Sequence, residues 1–347
     1  MKIGNLDICR ENSPIIIAEM SGNHNQSIDQ AFRIVDAAAQ AGAHMLKLQT
    51  YTADTITLDV RENEFFISDE KNIWKGQSLY ELYQVAHTPW EWHRPIMERA
   101  EQKGLSCFSA PFDETAVDFL EDLNVPAYKI ASPECIDLPL IKKVASTGKP
   151  MIISTGMAKI HEIAEAIEVV KEAGLEDFAL LKCTASYPAS PEDSNVLTIP
   201  HMRELFQCEV GLSDHTMGCG AATAAIAHGA TLIEKHFTLS RADGGVDSVF
   251  SLEPEEFNNL VVETKRAWQS LASGKYGPTE AEAGNFKGRP SLYIAKDMKA
   301  GEKLNPNNLR SVRPGYGLPP KYYDILLGRS VNQDLTKGTA LSWEMVS

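Results

Sequence analysis

The chain has 347 residues, 43% of them hydrophobic and 23% charged, enough for one large enzyme domain and a small one. Its formal net charge of −14 argues against nucleic acid and anionic membrane as partners, and no apolar run approaches the roughly 20 residues of a membrane helix. Residues Met1 to Pro14 alternate apolar and polar positions without a signal-peptide core, so a cytoplasmic protein is expected.

In chain order, short apolar runs predict eight strands: Ile15–Ala18, Met45–Leu48, Ser106–Ser109, Ala127–Ile130, Met151–Ser154, Phe178–Cys183, Glu209–Leu212 and Leu232–His236. Segments of helical period lie between them, among them Ile28–Ala41, Glu114–Leu123, Ile160–Ala173 and Ala221–His228. Eight alternating units predict an α/β fold, a (β/α)8 barrel, over residues 1–272. A doubly wound open sheet is the alternative, but the turn after the first strand, Glu19 to Asn25, lacks a glycine-rich phosphate loop. Residues 273–290 are rich in Gly, Ala, Glu and Lys and read as a linker. Residues 291–347 hold a faint repeat, Asp297–Leu304 against Asp334–Leu341, which predicts a small β-rich domain. The six cysteines form no CxxC pair and read as reduced, partly buried thiols.

In such a barrel the site lies at the carboxyl ends of the strands. Polar residues recur there: Glu19, Lys47 and Gln49, Ser109, Lys129 with Ser132 and Glu134, Ser154, Lys182, then Ser213, Asp214 and His215, and finally Glu234 and His236. His215 and His236 fall on adjacent strands, where two imidazoles near carboxylates suit manganese, magnesium or cobalt; a pair of hydrogen-bonded structural histidines is the other reading. Lys47, Lys129 and Arg313 are candidates for an anion clamp, with hydroxyl donors from Ser132, Ser154 and Ser213. A Schiff-base lysine is the rival reading of the buried lysines.

The segments IIIAEMSGNHNQS, LKLQT, APFD, AYKIASPE, ISTGM, GLSDHT, EKHFT and VRPG occur in the order found in the sialic acid synthase family, which the chain resembles over essentially its whole length. The resemblance implies a barrel followed by an antifreeze-like (SAF) domain, and a metal-dependent condensation of phosphoenolpyruvate with an N-acetylated amino sugar. It implies His215 and His236 as metal ligands, and Lys47, Lys129, Ser132, Ser154 and Ser213 as phosphoenolpyruvate contacts. Glu19 resembles a catalytic carboxylate, and Glu134 and Asp247 match sugar-side or proton-transfer positions. Gln49 and Tyr187 complete the expected substrate contacts. Arg313 resembles an arginine that the SAF domain of one subunit offers to its partner's barrel in a domain-swapped homodimer. Two stretches depart from the family pattern: Ala185 and Ser186 stand where members often carry Asn, and strand three reads Ser109-Ala110-Pro111 where some members have Thr before the Pro.

The insert Ile73–Tyr80 and the segment Thr88–His93 resemble the branch of the family that uses a diacetamido-trideoxy-altrose. Met20, Trp74 and Trp92 are expected to wall the sugar's methyl groups. A synthase for legionaminic or N-acetylneuraminic acid shares every motif. A non-catalytic sugar-binding module is the alternative of another class, which intact His215, His236 and Lys129 disfavour.

Overall fold

The computed structural model describes residues 1–347, which divide into two compact units, Met1–Ala272 and Ser273–Ser347. The first is a closed barrel of eight parallel strands: β1 (Ile15–Glu19), β2 (Met45–Thr50), β3 (Ser106–Pro111), β4 (Tyr128–Ile130), β5 (Met151–Ser154), β6 (Phe178–Cys183), β7 (Glu209–Asp214) and β8 (Leu232–His236). Neighbours pair in chain order and β8 closes on β1, with His236 opposite Glu19. Observed strands match the apolar runs or exceed them by two residues or fewer, except that β4 begins one residue late.

Each strand is buried on both faces, which is why it reads as a continuous apolar run. The outer face packs under a ring of helices. Ser27 caps the first, Ile28–Gln40, through a hydrogen bond from Gln30 N, and that helix buries Ala31, Ile34, Val35 and Ala38 at helical spacing. The inner face forms a separate cluster of Ile15, Ile17, Met45, Phe108, Ala127, Ile152, Ala179, Leu181 and Leu232. Gly211 also belongs to this layer: a Cβ there would lie 2.3 Å from Leu232 O, so any side chain would break the packing. A short hairpin, Lys2–Ile3 with Leu6–Asp7, adds Ile3 and Ile8 to the same cluster. Apolar side chains thus fill the barrel's lower interior, and the polar residues are left for the carboxyl end.

The connection from β2 to β3 carries the insert. Ile67 N donates to Gln77 O and Gly76 N to Ile67 O, at 3.0 and 2.9 Å, and a bridge joins Phe66 to Ser78. Ser78 and Glu81 then form a reciprocal cap on helix Leu79–Ala86.

In the second unit, Ser291–Ile294 pairs antiparallel with Leu309–Val312 over a core of Leu292, Ile294, Met298, Leu304, Leu309, Leu326, Val331, Leu335 and Leu341. The sequence repeat is a structural reciprocity. Met298 N donates to Leu335 O and Leu335 N to Met298 O, at 2.8 and 2.9 Å. Asp297 accepts from Lys337 N while Asp334 accepts from Ala300 N, at 2.7 and 2.9 Å. Residues 273–290, expected as a linker, group with this unit instead. They contain tight helical turns at Glu280–Gly288, and Lys287 O accepts a hydrogen bond from Gly315 N. Their polar composition reflects exposure on the unit's surface. No helix of either unit is long and apolar enough to cross a membrane.

Candidate active site

Side chains on a strand alternate between the two faces, so every second residue points into the barrel. Above the apolar layer these inward positions are Glu19, Lys47, Lys129, Ser154, Ser213 and Glu234, all buried. Lys47 Nζ lies 3.1 Å from Glu19 Oε2 and 2.8 Å from Glu234 Oε1. Lys129 Nζ sits 3.4 Å from the same Glu234 oxygen, and Ser213 Oγ donates to it at 3.0 Å. Glu234 is therefore the hub of the network. Sequence reading marked it as one strand-end residue among many; only closure of the barrel puts two lysines on it.

Burial sets the charge balance. It raises Glu19 to about 7 against the pull of Lys47, and lowers Lys129 to about 8 against the pull of Glu234. Burial would also raise Glu234, but Lys129 and Lys47 hold it well below the ordinary carboxylate range. Lys47 stays charged despite burial because Glu19 and Glu234 flank it. Two ammonium groups thus face one firmly ionised carboxylate, Glu234, and a second, Glu19, that burial leaves only partly ionised near neutral pH. The chain's acidic composition conceals a cationic floor suited to a small anion. Ser154 Oγ is buried without a hydrogen-bond partner, and Ser132 Oγ accepts from Gly156 N at 3.0 Å. A Cβ at Gly156 would lie 2.7 Å from Ser132 Oγ, so only glycine fits there.

The imidazoles stand beside this layer. The rings of His215 and His236 are 5.3 Å apart between centroids. Thr184 O accepts from His215 Nδ1 at 2.9 Å, which leaves the Nε2 lone pair free. His236 Nδ1 is buried without a hydrogen bond, 3.7 Å from Asp247 Oδ2. Burial lowers His236 far enough to keep it neutral, the form that binds metal. No three His, Cys, Asp or Glu side chains converge as a ready-made metal cage. The two facing imidazoles are the nitrogen donors at this corner that a divalent ion would use. Cys183 Sγ, 3.9 Å from His215 Nδ1, also reaches this corner.

Asp247 reaches the site from a loop beyond β8. Ser21 Oγ donates to its carboxylate, and its amide donates to Asn23 Oδ1 at 3.2 Å. Asn23 Nδ2 in turn donates to Phe237 O and Ser251 Oγ, both at 2.9 Å. The segment after β1 thus clamps the loop after β8; Ser21 and Asn23, in the AEMSGNH motif, were not singled out from sequence. Gln49 donates to Glu19 at 3.0 Å and to Ser21 at 3.2 Å. Tyr187 packs on His215 and Phe250, with centroids 4.6 and 5.2 Å away.

Other strand-end residues face away. Ser109 shares a hydrogen bond with Thr50, which contacts His93, all under the helices. Asp214 pairs with Lys235 on the barrel's outer face. Lys182 Nζ caps the carbonyl of Cys183 at 2.7 Å. Of the residues expected to wall the sugar, only Trp74 reaches the site, 5.7 Å from the Tyr187 ring. Trp92 packs edge-on against His24, and Met20 is buried in the helix-facing core. Met20 follows Glu19 on the opposite phase, and Trp92 lies on the helix Trp90–Gln102 against the same core. Arg313 belongs to the second unit, directly after its strand Leu309–Val312.

Glu134 sits on the turn Pro133–Ile136 with Oε2 enclosed and unpartnered, and burial raises it from 4.5 to about 7. The native state therefore holds this proton more tightly than the unfolded chain between those values. Stability falls as pH rises through that window and levels off above it. Glu134→Gln is expected to remove this slope, adding about 1–2 kcal/mol at pH 8 and little at pH 5. Urea unfolding at both pH values checks it; an unchanged slope would refute the shift.

Residues 34–276 match the NeuB family and residues 289–347 the SAF domain. The chain belongs to the NeuB family. It is 42% identical to the pseudaminic acid synthase of Campylobacter jejuni over 341 residues, 98% of either chain. It is 35% identical to the N,N'-diacetyllegionaminic acid synthase of Legionella pneumophila, over 95% of this chain and 94% of that one. Among solved structures it resembles the N-acetylneuraminic acid synthetase of Leptospira borgpetersenii, with a TM-score of 0.73 and 31% identity, covering 83% of this chain and 95% of that chain. The barrel, the C-terminal domain and the synthase class expected from the motifs agree with these matches. Like its relatives, this family member is an enzyme that makes a sugar acid.

Proposed function

We propose that the protein is a pseudaminic acid synthase, condensing phosphoenolpyruvate with 2,4-diacetamido-2,4,6-trideoxy-altrose to give pseudaminic acid and phosphate. The observation that carries this is the buried Glu19–Lys47–Glu234–Lys129 network beside the two facing imidazoles of His215 and His236. Lys47 and Lys129 neutralise the phosphate and carboxylate of phosphoenolpyruvate, and Ser132, Ser154 and Ser213 supply hydroxyl donors. Holding both reactants on one floor removes much of the entropic barrier. A divalent manganese, magnesium or cobalt ion held by His215 and His236 would supply Lewis-acid polarisation of the sugar aldehyde.

The methylene carbon of the enol phosphate forms the new bond to the aldehyde carbon, whose oxygen takes up a proton. Water adds to the cationic carbon left behind, and the bond from that carbon to the phosphate oxygen breaks. Glu19, poised near neutrality, is the group able to exchange protons with that water. Glu134 and Asp247 serve the sugar side, and Gln49 and Tyr187 line it.

Heavy oxygen in the bridging position of phosphoenolpyruvate is expected to leave with phosphate. Its retention in the sugar acid would refute the mechanism. Chelation, or His215→Ala, is expected to abolish turnover, with manganese restoring the chelated enzyme alone. Full turnover by metal-stripped protein would refute the metal assignment.

The working form on this reading is a homodimer in which Arg313 completes the anion clamp of the partner's barrel. Mixing Arg313→Ala with Lys129→Ala under subunit exchange is then expected to restore about a quarter of the sites, because half the dimers are mixed and each holds one intact site. No recovery with exchange verified would put Arg313 in its own subunit's site or outside it.

A further inference from the structure

Behind the two histidines, on the helix-facing side of the barrel, lies an ion pair with no part in the chemistry so far. Asp214 and Lys235 are register partners on β7 and β8, with side chains 1% and 0% exposed. Lys235 Nζ donates to Asp214 Oδ2 at 2.7 Å and to the carbonyl of Thr216. Asp214 Oδ1 accepts from Thr216 N at 2.9 Å. Lys235 therefore grips the residue before His215 and the residue after it, while being itself the residue before His236.

We propose that Asp214 and Lys235 are positioning residues for the divalent-ion site, setting the backbone on which His215 and His236 face each other. The proposal rests on the reading that these two histidines hold the ion. Stability alone is a poor reason for the pair: a buried ion pair is often no better than apolar side chains of similar size. The arrangement does what such side chains would not, because three directed bonds close a ring around the turn that follows β7. That turn is where β7 ends and where His215 turns its Nδ1 toward Thr184 O. With only two imidazoles from the protein, a small change in the direction of either ring loses a large share of the ligand field. Outer groups that orient a ligand typically govern metal affinity by 10- to 100-fold.

The test uses the full-length protein and Mn2+ as the probe, followed by electron paramagnetic resonance. The double variant Asp214→Asn/Lys235→Met keeps the size of both side chains and the acceptor for Thr216 N. It is expected to melt near the parent's temperature but to bind Mn2+ about 10-fold more weakly. Turnover is expected to fall by a similar factor while KM for phosphoenolpyruvate holds, since Lys47 and Lys129 are untouched. Parent-like Mn2+ affinity and turnover in the folded double variant would overturn the proposal. Should that variant not fold, Asp214→Asn/Lys235→Leu serves, which likewise strands no buried charge, with the same loss of about 10-fold expected; parent affinity there is equally fatal. If His215→Ala and His236→Ala retain Mn2+, the metal reading falls and the proposal with it. If they lose Mn2+ while the pair variants keep it, only the proposal falls.

Discussion

Glu234→Ala is expected to be the most damaging single substitution in the barrel. Glu234 Oε1 takes donors from Lys47, Lys129 and Ser213, and Lys129 has no other acceptor. Removing the carboxylate strands a lysine that is 1% exposed. Breaking one side of a buried pair costs about 3–5 kcal/mol, because the remaining charge must be neutralised in place. For a domain of this size, each kcal/mol corresponds to about 2–4 °C, so a loss of roughly 6–20 °C in the melting midpoint is expected. Lys129, already lowered to about 8, would then lose its proton near neutral pH and cease to attract phosphoenolpyruvate. Turnover per unit KM is expected to fall by about 10³ or more, the scale of losing a charged group that meets the transition state.

Glu234→Gln keeps the shape and an acceptor but not the charge, and should fall between parent and alanine. The folded carboxyl sits below its unfolded value, so its stabilisation is present above pH 4.5 and is lost only as pH falls toward the depressed folded value. The glutamine variant should therefore differ most from the parent at neutral pH and converge with it in strong acid. A Glu234→Ala protein with parent melting temperature and turnover within twofold would show that the network is not the working floor.

The second large effect concerns the sugar. The enzyme is expected to prefer the diacetamido-trideoxy-altrose over N-acetylmannosamine by about 100-fold or more. Terminal methyl and second acetamido methyl groups want apolar walls, and a site shaped for them leaves hydroxyls unpaired at about 1–3 kcal/mol each. On the proposed function Trp74 is the residue placed to supply the wall. Its indole N–H donates to Val246 O at 2.9 Å, and its ring lies against Tyr187, which packs on His215. Trp74→Ala should lower the preference by about 10-fold, mainly through KM for the altro sugar. Trp74→Phe should keep more of it, since the aromatic face survives. Product mass and phosphate release across a panel of amino sugars decide the matter. Equal turnover of N-acetylmannosamine or of the legionaminate precursor would refute the sugar assignment and leave the family intact. An unchanged preference in Trp74→Ala would place the wall elsewhere.

Much of this was legible in the amino-acid order. Strands buried on both faces must be continuous apolar runs, and short runs between helical periods leave few folds other than a closed parallel barrel. Lys47 and Lys129 stood out because a charge inside an apolar run must find a partner. The repeat in the last segment announced the paired Asp297 and Asp334 turns. The facing of each strand-end residue was not legible. Ser109, Asp214 and Lys182 look like Ser213, Glu234 and Lys129 in sequence, yet a one-residue step reverses the direction of a side chain. Only closure of the barrel fixed which phase pointed inward. Nor does sequence order bring Asp247 to His236, or Trp74 to Tyr187: those contacts depend on loops held by Ser21, Asn23 and Val246 across more than 170 residues. Local pattern is enough to choose an element, because backbone hydrogen bonding and burial act over a few residues. The site was decided by tertiary structure because charge balance depends on which side chains share an enclosed space.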